Sequence, residues 1–402
     1  MNNTINKSRI ILHIDMNCFY CSCEIAENEE LANKPIVVAH KDILDRGIIL
    51  SPSYEARKYG IYATMKVSDA KKLCHDLIVI EPNMDLYNSY SNSFYQYLVS
   101  ISDKIIVQMA SCDEAFIDIS NYVFGSEAID LAKKIQEDIY EFYGLPCSIG
   151  IAPNKYLAKM ASDMKKPMGI TVLRKREVQE KMWPLPIKDL FGIGKKTAPK
   201  LQSIGVNTIG DFIKEENKNN IIREFGINFY QGYYQKCFGI DDSLVSSDYT
   251  LSSSVSGSNT FMEDVANTTI LLNTIKVICN TICYKLQKDN QLALNVGIQI
   301  RYSNYETRNH SKPLLTPTND EYVFYKAAKS LFDDVFDETK TVRLIGAFTN
   351  RLKEKIDEPK QISIFDNFDE IEKEQKINAL VKQINNLTGG NNLKKGINNN
   401  KI

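Results

Sequence analysis

The chain has 402 residues, 43% of them apolar and 25% charged, with a formal net charge of −1. That is too long for one ordinary domain, and the composition excludes a largely disordered, collagen-like or membrane-spanning protein. No apolar run approaches the ~20 residues a spanning helix requires. The polar start of the chain lacks a signal-peptide core, and nine scattered cysteines suit a reducing compartment, so the expected location is the cytoplasm, away from any membrane.

In chain order, Ile10-Ile11-Leu12-His13-Ile14-Asp15 reads as a buried strand, followed by a helix over 19–27 and strands at 36–39 and 48–50. Helical spacing recurs at 54–59, 68–73 and 84–102. A strand over 105–109, a turn at Ser111-Cys112-Asp113-Glu114 and a strand over 115–119 make a hairpin. A helix at 126–143 and a strand at 147–152 then complete a β-α-β-β-α-β order, the ferredoxin-like pattern. Between Pro184 and Gly239 the character changes to short helices punctuated by glycine. The Ser- and Asp-rich stretch 241–253 reads as a linker. Beyond it a helix over 267–286, an alternating strand over 292–302, a helix over 322–332 and a strand over 341–348 predict a second α+β domain. After residue 353 comes a tail with one amphipathic stretch, carried by Ile377, Leu380, Val381, Ile384 and Leu387. The expected fold class is multidomain α+β.

The net charge conceals an uneven distribution. Residues 150–200 hold twelve basic and four acidic residues, so this window carries +8 and the remainder −9. A basic stripe is the electrostatic footprint of a nucleic-acid partner, although a solvated helical face has the same composition.

Asp15 ends the first strand and Asp113-Glu114 sit at the hairpin turn, so a ferredoxin-like sheet can bring three carboxylates together. Two like charges about 4 Å apart repel by roughly 4 kcal/mol at an effective dielectric near 20. Such a cluster therefore needs cations, and oxygen-only ligands suit Mg²⁺. Two ions of this kind can clamp the attacking and leaving oxygens of a phosphoryl displacement. Spacing alone leaves an ordinary strand end and two turn acids as the alternative.

Ile14-Asp15-Met16-Asn17-Cys18-Phe19-Tyr20 with Cys23-Glu24 resembles the opening motif of Y-family translesion DNA polymerases. Ser53-Tyr54-Glu55-Ala56-Arg57-Lys58-Tyr59-Gly60-Ile61 is similar to that family's fingers motif, and Ser111 to Asp118 to its second catalytic motif. Ser148-Ile149-Gly150-Ile151-Ala152, Ala158-Lys159-Met160-Ala161-Ser162-Asp163 and Lys166-Pro167 resemble its third. The resemblance implies template-directed DNA synthesis across lesions with two Mg²⁺ ions and without proofreading, in repair of DNA damage and the SOS response. A catalytically idle DNA-binding accessory protein is the alternative. It also implies a ferredoxin-like palm with fingers over 1–170 (fingers about 25–80), a helix-hairpin-helix thumb over 171–240 and a little finger over 254–353. The tail is 354–402.

Carried over residue by residue, Asp15, Asp113 and Glu114 would be catalytic, and together with the Met16 carbonyl would hold the metal. Phe19, Tyr20, Tyr54, Arg57 and Lys166 would bind the nucleotide, with Tyr20 as the steric gate against a ribose 2′-hydroxyl. Gly192, Gly194, Lys195 and Lys196 of the hairpin turn, with Arg301 and Arg343 of the little finger, would contact primer-template DNA. Gln361-Ile362-Ser363-Ile364-Phe365 looks like a sliding-clamp motif, with Gln361, Ile364 and Phe365 as the contacts. The implied partners are DNA, deoxynucleoside triphosphates and the bacterial clamp, and the implied state is a monomer. Asn17 stands where many members have Asp, which leaves the subclass open between polymerase IV-like and polymerase V-like. The close cysteines Cys18, Cys21 and Cys23 lack a second ligand pair at zinc spacing and read as small hydrophobes of a helix.

Overall fold

In the computed structural model, residues 9–40, 47–247 and 252–355 are described, and the chain divides into two units, Met1–Leu251 and Ser252–Ile402. Among the described residues no helix is long and apolar enough to cross a membrane.

The first unit contains, in order, β1 (Ile11–Met16), α1 (Phe19–Glu27), β2 (Ile36–Ala39), β3 (Ile49–Pro52), α2 (Tyr54–Lys58), α3 (Val67–Leu73), β4 (Ile78–Ile80), α4 (Met84–Ser100), β5 (Ile106–Met109), β6 (Glu114–Asp118), α5 (Glu127–Tyr143), β7 (Cys147–Ala152), α6 (Lys155–Met164) and β8 (Ile170–Val172). The helices α7 (Val178–Lys181), α8 (Thr197–Ser203), α9 (Ile209–Phe212), α10 (Glu215–Phe225) and α11 (Ile227–Cys237) follow.

Its main sheet runs β5-β6-β1-β7-β8, with β1 antiparallel to both neighbours. This is the ferredoxin-like arrangement expected from the β-α-β-β-α-β order. Because side chains alternate across a strand, Leu12, Ile14 and Met16 face one layer of helices and share a core with Phe94 and Leu98 of α4 and Ile135 and Ile139 of α5. The opposite side of β1, carrying His13 and Asp15, is covered by α6. Gly150 makes that cover possible: a Cβ there would lie 2.0 Å from the Ala158 carbonyl oxygen and 2.5 Å from the Ser162 nitrogen. A second, three-stranded sheet runs β3-β2-β4. The stretch 241–247 has no regular structure, yet it is tied to the first unit. Arg9 donates to the Asp241 and Ser243 carbonyls, the Asp241 carboxylate accepts from the Tyr156 amide at 3.0 Å, and Val245 is buried.

The second unit holds β9 (Val255–Val265), α12 (Thr268–Lys288), β10 (Gln291–Tyr302), β11 (Thr307–Thr318), α13 (Glu321–Val335), β12 (Val342–Thr349) and β13 (Leu352–Glu354). Its sheet runs β11-β10-β12-β9. Ile275, Ile282 and Leu286 of α12 pack with Phe324 and Phe332 of α13 on Val296, Ile298 and Ile300 of β10.

Five strands lie outside the sequence expectation, among them β9 and the short β13. β4 and β8 have three residues each, too few to show a period. β11 is an edge strand with a mostly exposed polar sequence and two prolines, Pro313 and Pro317, and proline in a sheet is largely confined to such edges.

Candidate active site

The β1–β6 register sets Asp15 directly opposite Glu114, and the β1–β7 register sets it opposite Ser148. Opposed residues of an antiparallel pair share a face, so the two carboxylates meet under α6. The Met16 amide donates to the Asp113 carbonyl at 3.0 Å and the Asn17 amide to the Pro146 carbonyl at 2.8 Å, pinning the end of β1 to both neighbouring turns. Cys18, in the left-handed region at φ 41°, then turns the chain into α1.

Lys159 reaches down from α6 between the two acids. Its Nζ lies 2.8 Å from Asp15 Oδ2, 2.9 Å from Glu114 Oε1 and 3.5 Å from Asp163 Oδ2. Lys166 Nζ lies 2.8 Å from both Asp15 Oδ1 and Asp163 Oδ1. Burial opposes the charge on Lys159, but Asp15, Asp163 and Glu114 outweigh it and hold the ammonium well above its ordinary range. Burial likewise opposes ionisation of Glu114, yet the His13 contact and the Lys159 charge keep it far below the usual carboxylate range. At Asp15 burial pushes the carboxyl up, against the pull of both lysines.

Of the three carboxylates, Asp15 and Glu114 stand opposite one another, and Asp113 precedes Glu114 at the turn. Among the described residues no three metal-binding side chains converge. Asp113 sits at the turn with Oδ1 accepting from the Ser111 hydroxyl at 2.5 Å. Lys159 pairs with Asp15 and Glu114 and Lys166 with Asp15, while Asp113 has a local donor in Ser111.

Asp15, Met16, Asp113 and Glu114 nevertheless line one cavity of about 300 Å³ with Phe19, Tyr20, Tyr54, Arg57 and Lys166. The ligand atoms offered by these carboxylates and the Met16 carbonyl are all oxygen, the chemistry that suits a hard divalent cation. Cys18 and Cys112 share the cavity, but burial raises both thiols above their ordinary range and keeps them protonated, which makes them poor ligands. The residues present therefore fit a divalent ion of the magnesium kind.

Arg57 stacks on Tyr54, 4.9 Å from the ring centroid, and its Nε donates to the Pro52 carbonyl. Tyr20 lies parallel to Tyr87 with centroids 4.4 Å apart. The Phe19 side chain is buried in the palm core, so of this pair Tyr20 presents the ring.

Gly192 takes φ 95°, and a Cβ on it would lie 2.5 Å from the Tyr233 hydroxyl; Gly194 has open space. The Gly194 carbonyl accepts from the Thr197 and Ala198 amides, starting α8. Lys195 sits 4.1 Å over the Tyr62 ring and Lys196 precedes α8. In the second unit Arg301 Nε donates to Thr307 Oγ1, and Arg343 lies 3.9 Å from Asp264 and over Tyr305. Gln361, Ile364 and Phe365 lie outside the described residues.

Sequence reasoning missed several partners. Lys159 was legible as one charge of a basic window and as part of the third motif, without a role, and His13 only as a residue of the first strand. Asn17 was read only as a departure from the usual Asp. Its Oδ1 accepts from the Met168 amide at 2.9 Å and its Nδ2 donates to Ser148 Oγ at 3.0 Å, which anchors the segment after Lys166 beside β1. Alternation placed His13 and Asp15 on one face, and helical spacing placed Lys159, Ser162 and Asp163 on one turn; no pattern said that the two faces meet.

Residues 14–163 match the model of the impB/mucB/samB family, residues 252–364 that family's C-terminal domain, and residues 175–206 the IMS family HHH motif. DNA polymerase IV of Oceanobacillus iheyensis is 38% identical over 388 residues, 96% of this chain and 91% of the relative. DNA polymerase IV of Bacillus cereus is 40% identical over 396 residues, 97% of this chain and 93% of the relative. Among solved structures, a Y-family DNA polymerase chimera superposes with a TM-score of 0.74 at 25% identity, over 86% of this chain and 99% of its own. The insertion ternary complex of Dbh DNA polymerase has a TM-score of 0.63 at 25% identity, with the same two coverages.

Proposed function

The chain belongs to the impB/mucB/samB family of Y-family DNA polymerases, and from that premise we propose how its own residues carry out the reaction. It is a DNA-directed DNA polymerase of the translesion class, acting on DNA with deoxynucleoside triphosphates; the idle accessory reading is not favoured. Members of the family depend on divalent metal.

The observation that carries the site assignment is Asp15 opposite Glu114 on the floor of the cavity that also holds Tyr20, Tyr54, Arg57 and Lys166. Asp15, Asp113, Glu114 and the Met16 carbonyl would hold two Mg²⁺ ions. When bound, these ions polarise the reacting phosphate and make the primer 3′-hydroxyl a better nucleophile. Lys166, Arg57 and the Tyr54 hydroxyl supply donors and positive charge for the triphosphate, which makes Lys166 exchange its carboxylate partners for phosphate oxygens. The Phe19 main chain borders the sugar, and the Tyr20 ring leaves no room for a 2′-hydroxyl. The turn Gly192–Lys196 and the arginines Arg301 and Arg343 hold the DNA backbone.

Asp113→Asn should abolish primer extension while leaving folding and DNA binding nearly intact, since it removes a ligand charge and little volume. Extension at a tenth of the wild-type rate or better would remove Asp113 from the site. Template-independent incorporation would point to a different nucleotidyl transfer.

The peptide from Gln361 to Phe365 supports a contact with the bacterial sliding clamp, which would tether a monomeric, cytoplasmic polymerase to the primer end. Alanine at Gln361, Ile364 and Phe365 should leave distributive synthesis unchanged and remove stimulation by the clamp.

A further inference from the structure

We propose that His13 is a positioning residue for Glu114: its Nε2–H fixes the carboxylate so that the other oxygen is presented to a divalent cation. The inference rests on the reading of Glu114 as a cation ligand.

His13 is two residues before Asp15 and on the same face of β1. Its side chain is fully buried, and β1 pairing places it between Phe116 and Gly150. The ring centroid lies 4.6 Å from that of Phe116, and Nδ1 lies 2.8 Å from Ser162 Oγ on α6. Ser162 Oγ is itself 2.9 Å from the Lys159 carbonyl, so the imidazole is clamped between the sheet and the helix that carries Lys159.

The other ring nitrogen is what makes this more than a packed core residue. Nε2 is buried, makes no well-formed hydrogen bond, and lies 3.5 Å from Glu114 Oε2, at the long limit of such a contact. When the Ser162 hydroxyl turns from the Lys159 carbonyl to donate to Nδ1, the neutral ring carries its hydrogen on Nε2, the tautomer favoured here because a bare lone pair facing Oε2 would repel it. An apolar side chain would pack against Phe116 equally well without the cost of burying a polar ring.

The two oxygens of Glu114 thus have different partners: Lys159 at Oε1, 2.9 Å away, and His13 at Oε2. A cation that competes with Lys159 for Oε1 leaves His13 in place, and the carboxylate keeps its orientation through the exchange. Donors in this outer position commonly change metal affinity 10–100-fold when removed.

The test is Mn²⁺ binding to the nucleotide-free full chain, read by the electron paramagnetic resonance of free Mn²⁺, beside the Mn²⁺ requirement of primer extension. His13→Gln places an amide N–H near the Nε2 position, His13→Asn near Nδ1, and His13→Phe keeps ring volume without a donor. His13→Phe and His13→Asn should bind Mn²⁺ about tenfold more weakly or worse, and His13→Gln within about threefold of wild type. DNA affinity should not change. Wild-type Mn²⁺ affinity in His13→Phe overturns the proposal, as does equal loss in the Asn and Gln variants; that pair decides the matter if the Phe variant does not fold. Glu114→Gln separates the two readings. If it binds Mn²⁺ like wild type, the ligand role of Glu114 falls and His13's with it. If it binds weakly while His13→Phe does not, only His13's role falls.

Discussion

Lys159 bridges the opposed carboxylates, its ammonium 2.8 Å from Asp15 on β1 and 2.9 Å from Glu114 on β6. Its side chain is only 8% exposed, so this is a buried ion cluster rather than a surface pair. Before any cation arrives, the lysine is the counter-ion that lets two acids share one face of a sheet. At the proposed metal site a divalent ion would have to compete with it, so the same residue would both stabilise and guard the site.

Replacing Lys159 by Met tests this directly. Leaving a buried charge without its partner typically costs 3–5 kcal/mol, so the metal-free variant should unfold at clearly lower urea concentration. Mg²⁺ should then restore part of that loss, and the stabilisation by Mg²⁺ should exceed that of wild type. A metal-free variant as stable as wild type would mean the bridge contributes nothing net.

Gly150 is the second dependency, because it decides whether α6 can approach closely enough for Lys159 to reach. An added Cβ would meet backbone atoms of α6, which cannot rotate away as a side-chain tip could. Gly150→Ala should therefore destabilise the first unit by about 3 kcal/mol, at the upper end of overpacking costs. It should also impair primer extension more than this loss explains, since Lys159 and Ser162 move with the helix. Unchanged stability and activity would show that α6 tolerates displacement.

These two residues also mark how far the sequence could be read. The palm was legible because its strands are long and apolar and its hairpin carries an unmistakable turn at Ser111–Glu114. The pairing of Asp15 with Glu114 followed from that topology. Lys159 was not legible as part of the site, because helical spacing gives the face of α6 and not the sheet it covers. Asp113 was legible at the hairpin turn, but the two lysines that pair with Asp15 and Glu114 beside it were not. The 241–253 linker looked featureless in composition, yet its first part is fixed by Arg9 and by the Tyr156 amide, contacts separated by far too many residues for any local pattern to show.

The basic window is likewise not one surface. Lys159 and Lys166 face Asp15, Arg174 and Lys181 pair with Glu177, and Lys200 lies 3.6 Å from Glu224. Lys155, Lys165, Lys175, Arg176, Lys188, Lys195 and Lys196 appear in no ion pair among the described residues. If about four of these seven meet DNA phosphates, they should contribute about −3.6 to the log–log salt slope, or roughly 150-fold weaker binding between 50 and 200 mM salt. Lys196→Ala should reduce the slope by about 0.9. A binding curve flat over that range would leave the stripe as a solvated face.

Tyr20 offers the sharpest test, and the structure adds a supporting residue to it. Tyr20 lies 4.4 Å from Tyr87 with the rings 19° from parallel, and the Tyr87 hydroxyl donates to Glu24 at 2.6 Å. Tyr87 is buried in the core under the main sheet, so the proposed gate would be backed by a ring that cannot retreat. A rigid wall rejects a 2′-hydroxyl by clash without needing attraction to the correct sugar. Tyr20→Ala should raise ribonucleotide incorporation strongly while reducing deoxynucleotide incorporation much less. A thousandfold loss of discrimination would correspond to about 4 kcal/mol of differential barrier. Tyr87→Leu, which keeps the core apolar but removes the backing ring, should lower discrimination by a smaller factor in the same direction. Matched ribo- and deoxynucleotide kinetics on one primer decide the case. A folded Tyr20→Ala protein with an unchanged ratio would make Tyr20 a core aromatic and no gate, and an unchanged ratio in Tyr87→Leu alone would show that the gate stands without its backing.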